Sequence, residues 1–190
     1  MMKNNKQVER NKVPSIWQRI HASLIDYFVI LAWMAVLFLI WLLLFLLLGS
    51  HPDYLGIFGP VGTQIIFFFV LTLPVGLYLY VSESGARHAT VGKRKVGLRV
   101  VGTDKQVPSK KSILLRTIIK LLPWEIAHTF IWQMQYVFYQ FGYEADVPMW
   151  IFAGLSLSML LVIFYVAMAV FSKDGRAPHD FVAGTRVVFR

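Results

Sequence analysis

Three stretches of this chain are long, apolar and free of charge. Tyr27–Leu48 holds no charged residue, no Gly and no Pro, and Val61–Val81 and Pro148–Phe171 are also uncharged. A bilayer core about 30 Å thick takes roughly 20 mostly apolar residues in a helix to cross, and each stretch is long enough. Hydrocarbon offers a backbone no hydrogen-bond partner, so such runs must satisfy their own and fold as helices. Leu121–Phe141 is a fourth stretch of suitable length, but it carries Glu125, His128, Gln133, Gln135 and Gln140. The sequence therefore predicts an all-α integral membrane protein, a four-helix transmembrane bundle with three firm spans and one open. The spans fall at about 24–48, 61–81, 121–141 and 148–171.

Composition agrees. Of 190 residues, 57% are apolar and 15% charged, against roughly 45–50% and about 25% in soluble domains. Cysteine is absent, which excludes disulfides, zinc–thiolate sites, iron–sulfur clusters and a thiol nucleophile. No cofactor or metal is expected. The net charge is +9. In a soluble protein this would suggest nucleic acid, but here the placement of the cations explains it.

All 19 Lys and Arg residues lie before the first run, between Val81 and Leu121, or after Phe171. The connections Gly49–Pro60 and Gly142–Val147 contain none. If Leu121–Phe141 crosses, every cation falls on one side, which the positive-inside rule makes cytoplasmic. The expectation is a cell-membrane protein with both termini cytoplasmic; a re-entrant or interfacial helix at 121–141 is the alternative. The first run exceeds the 7–15 apolar residues of a signal peptide and lacks an A-x-A site, so it reads as an uncleaved anchor.

Two Val-rich pieces repeat a pattern: Gly97-Leu98-Arg99-Val100-Val101 and Gly184-Thr185-Arg186-Val187-Val188. They predict short strands near 96–101 and 184–189 on the inner surface, with pairing between them or coincidence as the two readings. Ser112–Leu122 reads as a helix with Arg116 and Lys120 on one edge, lying at the interface before Pro123 bends the chain into the next span. With Lys93, Arg94 and Lys95, these cations form a candidate anionic-lipid site or a flank that only fixes topology.

Ionisable groups within spans are costly, roughly 2.5–3.5 kcal/mol at mid-bilayer, and point to function. Arg19, Ser23 and Asp26 share one face of the first helix, although Arg19 and Asp26 are about 10 Å apart along it. Glu125 and His128, at i and i+3, can exchange a proton or serve as core groups. His179 and Asp180 follow the last span, in a loop that either folds back towards Arg19 and Asp26 or stays solvated.

Several segments together resemble the RDD family of small membrane proteins. Arg19-Ile-His-Ala-Ser-Leu-Ile-Asp26 resembles its first-helix motif. Thr90–Val101 is similar to its basic Gly-Lys-Arg segment, Arg116 to the Arg that follows, and His179-Asp180-Phe-Val-Ala-Gly-Thr185 to its closing segment. The resemblance covers roughly residues 15–190. It implies a single membrane domain over 1–190, with 1–14 a flexible cytoplasmic segment. It also implies a key trio of Arg19, Asp26 and Asp180, and a transport role, with sodium/proton antiport proposed for some members.

The leading expectation is transport of a small solute or a monovalent cation against protons, by a homo-oligomer, through a polar cluster of Arg19, Asp26, Asp180, Glu125, His128 and His179. The alternative is a non-transporting scaffold or accessory subunit that binds anionic lipid or a soluble partner. No nucleophile elbow, P-loop or zinc-binding His pair is present, so an enzyme ranks last. No nucleic-acid partner is expected.

Overall fold

A computed structural model describes residues 13–50 and 52–190. Most of the segment expected to be flexible at the N-terminus lies outside the described residues. Helix α1 is Ile16–Leu48, α2 is Tyr54–Phe67, a π-helical turn is Phe68–Thr72, and α3 is Leu73–Ser84. A short α4 (Val91–Lys95) leads into strand β1 (Leu98–Gly102). Then come α5 (Lys110–Phe141), α6 (Met149–Phe171), a short α7 (Pro178–Val182) and strand β2 (Thr185–Phe189).

Three helical segments are long and apolar enough to cross a membrane: Ile16–Leu48, Tyr54–Ser84 and Met149–Phe171. The first two contain their expected spans, and the third matches its span but for Pro148, which precedes the helix. Their large apolar side chains face outward, among them Phe28, Leu39, Leu46, Leu160 and Val166. Apolar surface on that scale would aggregate in water and is lipid contact in a membrane. The fourth stretch is helical too, within the 32-residue α5, and is the more polar one the sequence indicates.

The chain divides into two compact units: residues up to Val29 with 75–121 and 163–190, and residues 30–74 with 122–162. The first unit holds the strand pair. β1 and β2 are antiparallel, with Val100 opposite Val187 and Arg99 opposite Val188. The pairing anticipated from the repeat is therefore real, and the repeat extends further. Each copy is a five-residue helix, then a glycine with positive φ (Gly97 at 75°, Gly184 at 61°), then a strand. Left-handed φ at the end of a helix is what only glycine adopts without cost. The hydrogen bonds repeat as well: Arg190 N donates to Gly97 O (2.8 Å), and Thr103 N to Gly184 O (3.0 Å). Leu98 and Val187 pack on Ala22 of α1, so the sheet sits on the first helix.

In the second unit, Asp53 caps α2 by accepting from Gly56 N (2.8 Å), and Tyr139 OH donates to its other oxygen (2.8 Å). The helix breaks at Gly59 (φ 63°, ψ −175°) and resumes at Pro60, whose missing N–H costs little in a first turn. The small residues Gly154 and Ser158 of α6 are buried within the chain. The Phe130 ring lies over Gly154, and Ser158 Oγ donates to Pro123 O (2.8 Å).

Pro123 lies inside α5, which runs on through it as one helix. A helical proline leaves the carbonyl four residues back without its donor. That carbonyl, Ile119 O, receives the Tyr165 hydroxyl (2.8 Å) in the first unit. Pro74 strands Val70 O in the same way, and Trp33 Nε1 donates to it (3.2 Å) in the second. Side chains from other helices replace the lost donors, as membrane helices with proline require.

Candidate functional site

Asp26 is buried and accepts three hydrogen bonds in the first unit. Tyr78 OH (2.6 Å) and Gly92 N (2.8 Å) donate to Oδ1, and Thr90 Oγ1 (2.6 Å) donates to Oδ2. Thr90 also caps α4, accepting from Lys93 N (3.3 Å). Gly92 is required here for space. A Cβ on it would lie 1.9 Å from Ala22 O and 3.0 Å from Asp26 Cγ. Only glycine brings its N–H this close to the α1 backbone. All three donors are neutral, and Asp26 has no ion-pair partner among the described residues.

A separate buried network joins four charges of alternating sign. Glu83 accepts from Lys93 Nζ (2.6 Å) and Arg116 Nε (2.8 Å). Arg116 Nη1 pairs with Asp180 Oδ1 and also reaches Thr185 Oγ1 (3.1 Å), which itself donates to Asp180 Oδ1 (3.1 Å). Glu83, Arg116 and Asp180 are each no more than 2% exposed. Desolvating two cations and two anions costs several kcal/mol per ion, and only a complete network with satisfied hydrogen bonds offsets it. Burial alone would raise the Asp180 carboxyl. The Arg116 guanidinium, with Arg19 behind it, overcomes burial and holds the carboxyl below its usual range. His179 Nε2 is 3.6 Å from Asp180 Oδ2. Burial first, then Arg116, pushes the His179 imidazole down to about 3, so it is neutral at physiological pH.

Arg19 donates through Nη1 to Gly175 O, the glycine of the loop after α6. A Cβ on Gly175 would lie 3.1 Å from Arg19 Nη2. The structure thus places Arg19 against the 175 loop, Asp26 with Tyr78, Thr90 and Gly92, and Asp180 with Arg116. Asp180 feels the Arg19 charge, but Asp26 and Asp180 belong to two different hydrogen-bond sets. Of the cations considered for lipid, Lys93 and Arg116 are buried on Glu83, because unpaired acids inside the protein compete for them. Arg94 and Lys120 are half-buried, and Lys95 is exposed.

The second unit carries its own polar cluster. Thr72, in the π-helical turn, donates to Glu125 Oε1, and His128 Nδ1 lies 3.4 Å from the same oxygen. Gln64 Nε2 donates to Thr129 Oγ1 (2.7 Å), whose hydroxyl donates to Glu125 O (2.9 Å). The Trp124 ring stands edge-on to His128 at 4.7 Å.

Reading the sequence missed Glu83, Tyr78, Thr90, Thr72 and Gln64. Glu83 had a signal: it is an acid just beyond an uncharged run, in a chain where acids are scarce. The neutral donors had none, since Thr, Tyr and Gln are common in spans. Among the described residues no group of three or more His, Cys, Asp or Glu side chains could hold a metal ion.

These features define a multi-pass helical membrane protein with a polar core at one end of its first span. The chain belongs to the RDD family, whose family model matches residues 13–184. Comparison with curated proteins and with solved structures gave no match.

Proposed function

We propose that this protein carries a small cation, a proton or a monovalent metal ion, across the cell membrane by exchange at Asp26. The observation that supports it is the Asp26 carboxylate, buried in a membrane helix and held by three neutral donors, with no ion-pair partner among the described residues. Lys120 is near enough to feel this carboxylate, but no cation among the described residues is paired with it, and either a proton or a metal ion neutralises it. The Lys93–Glu83–Arg116–Asp180 network balances its own charges and acts as the fixed floor beside the exchanging group. Arg19 holds the 175 loop against this floor. Both termini are cytoplasmic in this reading, α5 is the fourth crossing, and a homo-oligomer supplies helices that one copy lacks for a full pathway.

The test is ion flux in vesicles reconstituted with purified protein under a sodium or pH gradient. Asp26→Asn is expected to lower flux at least ten-fold while the protein stays folded; undiminished flux would reject Asp26 as the carrier. The exposed cations Arg87, Lys95, Lys110 and Lys111 favour a second reading, an accessory subunit that docks on anionic lipid. That reading expects no flux from wild-type protein and salt-sensitive retention on anionic vesicles.

A further inference from the structure

Proton exchange at Asp26 leaves the Glu125 cluster without a role. The groups around it are few. From the π-helical turn comes Thr72, and from α2 comes Gln64, reaching Glu125 through Thr129. From α5 itself come His128 and the Trp124 ring. Lys120, on the same helix, lies five positions back, about 140° round at 3.6 residues per turn. His128 is therefore the one titratable neighbour that the described residues bring to this carboxylate.

The open positions in the cluster matter as much as the filled ones. Glu125 Oε1 faces Thr72 and His128, while Glu125 Oε2 and His128 Nε2 have no hydrogen bond among the described residues. With Nδ1–H turned to the carboxylate, the pair carries one negative charge, and Nε2 keeps its lone pair. One proton delivered by water to Nε2 makes an imidazolium beside a carboxylate, and the pair becomes neutral. The 3.4 Å approach of Nδ1 to Oε1 sets the imidazolium charge directly against the carboxylate. A π-helical turn costs regular hydrogen bonds and tends to mark functional positions in helices. Here it presents Thr72 to the carboxylate and fixes the geometry that the proton needs.

We infer that Glu125 and His128 form a second proton-binding site, distinct from Asp26, in which His128 Nε2 takes up the proton and Glu125 holds the resulting charge. The site does not depend on Asp26 acting as a carrier. It is tested with protein labelled with nitrogen-15 at histidine, in lipid nanodiscs, with the His128 ring signals assigned by their loss in His128→Gln. The expected result is a single protonation step at Nε2 between about pH 5 and 9. Glu125→Gln should move its midpoint down by at least one pH unit, a ten-fold loss of proton affinity. Thr72→Val should move it less, and Asp26→Asn should leave it in place. If Glu125→Gln does not fold, Glu125→Asp serves in its stead, with a smaller downward shift expected. A His128 ring that does not titrate in this range, or a midpoint unchanged by both Glu125 variants, overturns the inference whatever the vesicle flux of Asp26→Asn shows.

Discussion

Gly92 and His179 show how much single residues carry here. At Gly92 the space for a methyl group is already filled by the Ala22 carbonyl. Gly92→Ala must separate α4 from α1 and pull two of the three donors off Asp26. Overpacking of this kind costs typically 1–3 kcal/mol, and the stranded carboxylate adds to it. Thermal unfolding of the solubilised protein should show a loss of at least that size. At His179 the sign is fixed by the depressed folded value of about 3 against an ordinary 6.5. The unfolded chain takes up a proton there as pH falls through 6.5, while the folded chain does not until near 3. The contribution of His179 is thus complete above pH 6.5 and declines below it, by about 1–2 kcal/mol at pH 5. Asp180, whose folded value is lowered, adds a loss in the same direction below its own ordinary range. Melting temperature should fall on acidification from pH 7 to 5, and His179→Gln should flatten that dependence.

Among the elements, the helices with internal prolines give the clearest prediction. Tyr165→Phe leaves Ile119 O without a donor, and Trp33→Phe does the same to Val70 O. Hydrogen bonds inside membrane proteins average about 0.6 kcal/mol and reach about 1.7, so each change should cost a measurable fraction of that range. In Pro123→Ala the residue regains an N–H for Ile119 O, and Tyr165→Phe should then cost less. A double-mutant cycle of unfolding free energies measures the coupling, and an uncoupled pair would show that the hydroxyl does not replace the missing donor. Sequence showed the elements well where one strong force sets them. Tyr27–Leu48 is readable because hydrocarbon permits a continuous helix there, and the Arg-Val-Val repeat because strands need that residue type. It showed the site only in part. Asp26 and Asp180 stand out as charges near spans, but the choice of Arg116 for Asp180 depends on contacts between distant segments. Pro123 reads as a bend, and the hydroxyl that serves Ile119 O is not legible beside it because Tyr165 lies on another helix.

At the scale of the whole molecule, membrane orientation is the property that most needs measuring. The reading with both termini cytoplasmic places Arg190 and the 85–109 segment on one side and Gly142–Val147 on the other. Single-cysteine variants of this cysteine-free chain, treated with a membrane-impermeant thiol reagent, should label a cysteine at Ala145 in intact cells and one at Lys105 only after lysis. The buried network adds a second prediction at this scale. Glu83→Gln removes one anion from two cations, and breaking a buried pair in this way typically costs about 3–5 kcal/mol. It should lower expression and melting temperature more than any single change at Arg94 or Lys95. The strand pair also bears on how the chain matures. β1 leaves the ribosome long before β2, and their pairing waits for α5 and α6 to be made and inserted. Until then the Val-rich edge of β1 stays open to chaperones, to proteases or to the same edge on a neighbouring nascent chain. A stalled chain ending before Thr185 should therefore be cleaved by added protease around residues 98–102, while the full-length chain resists.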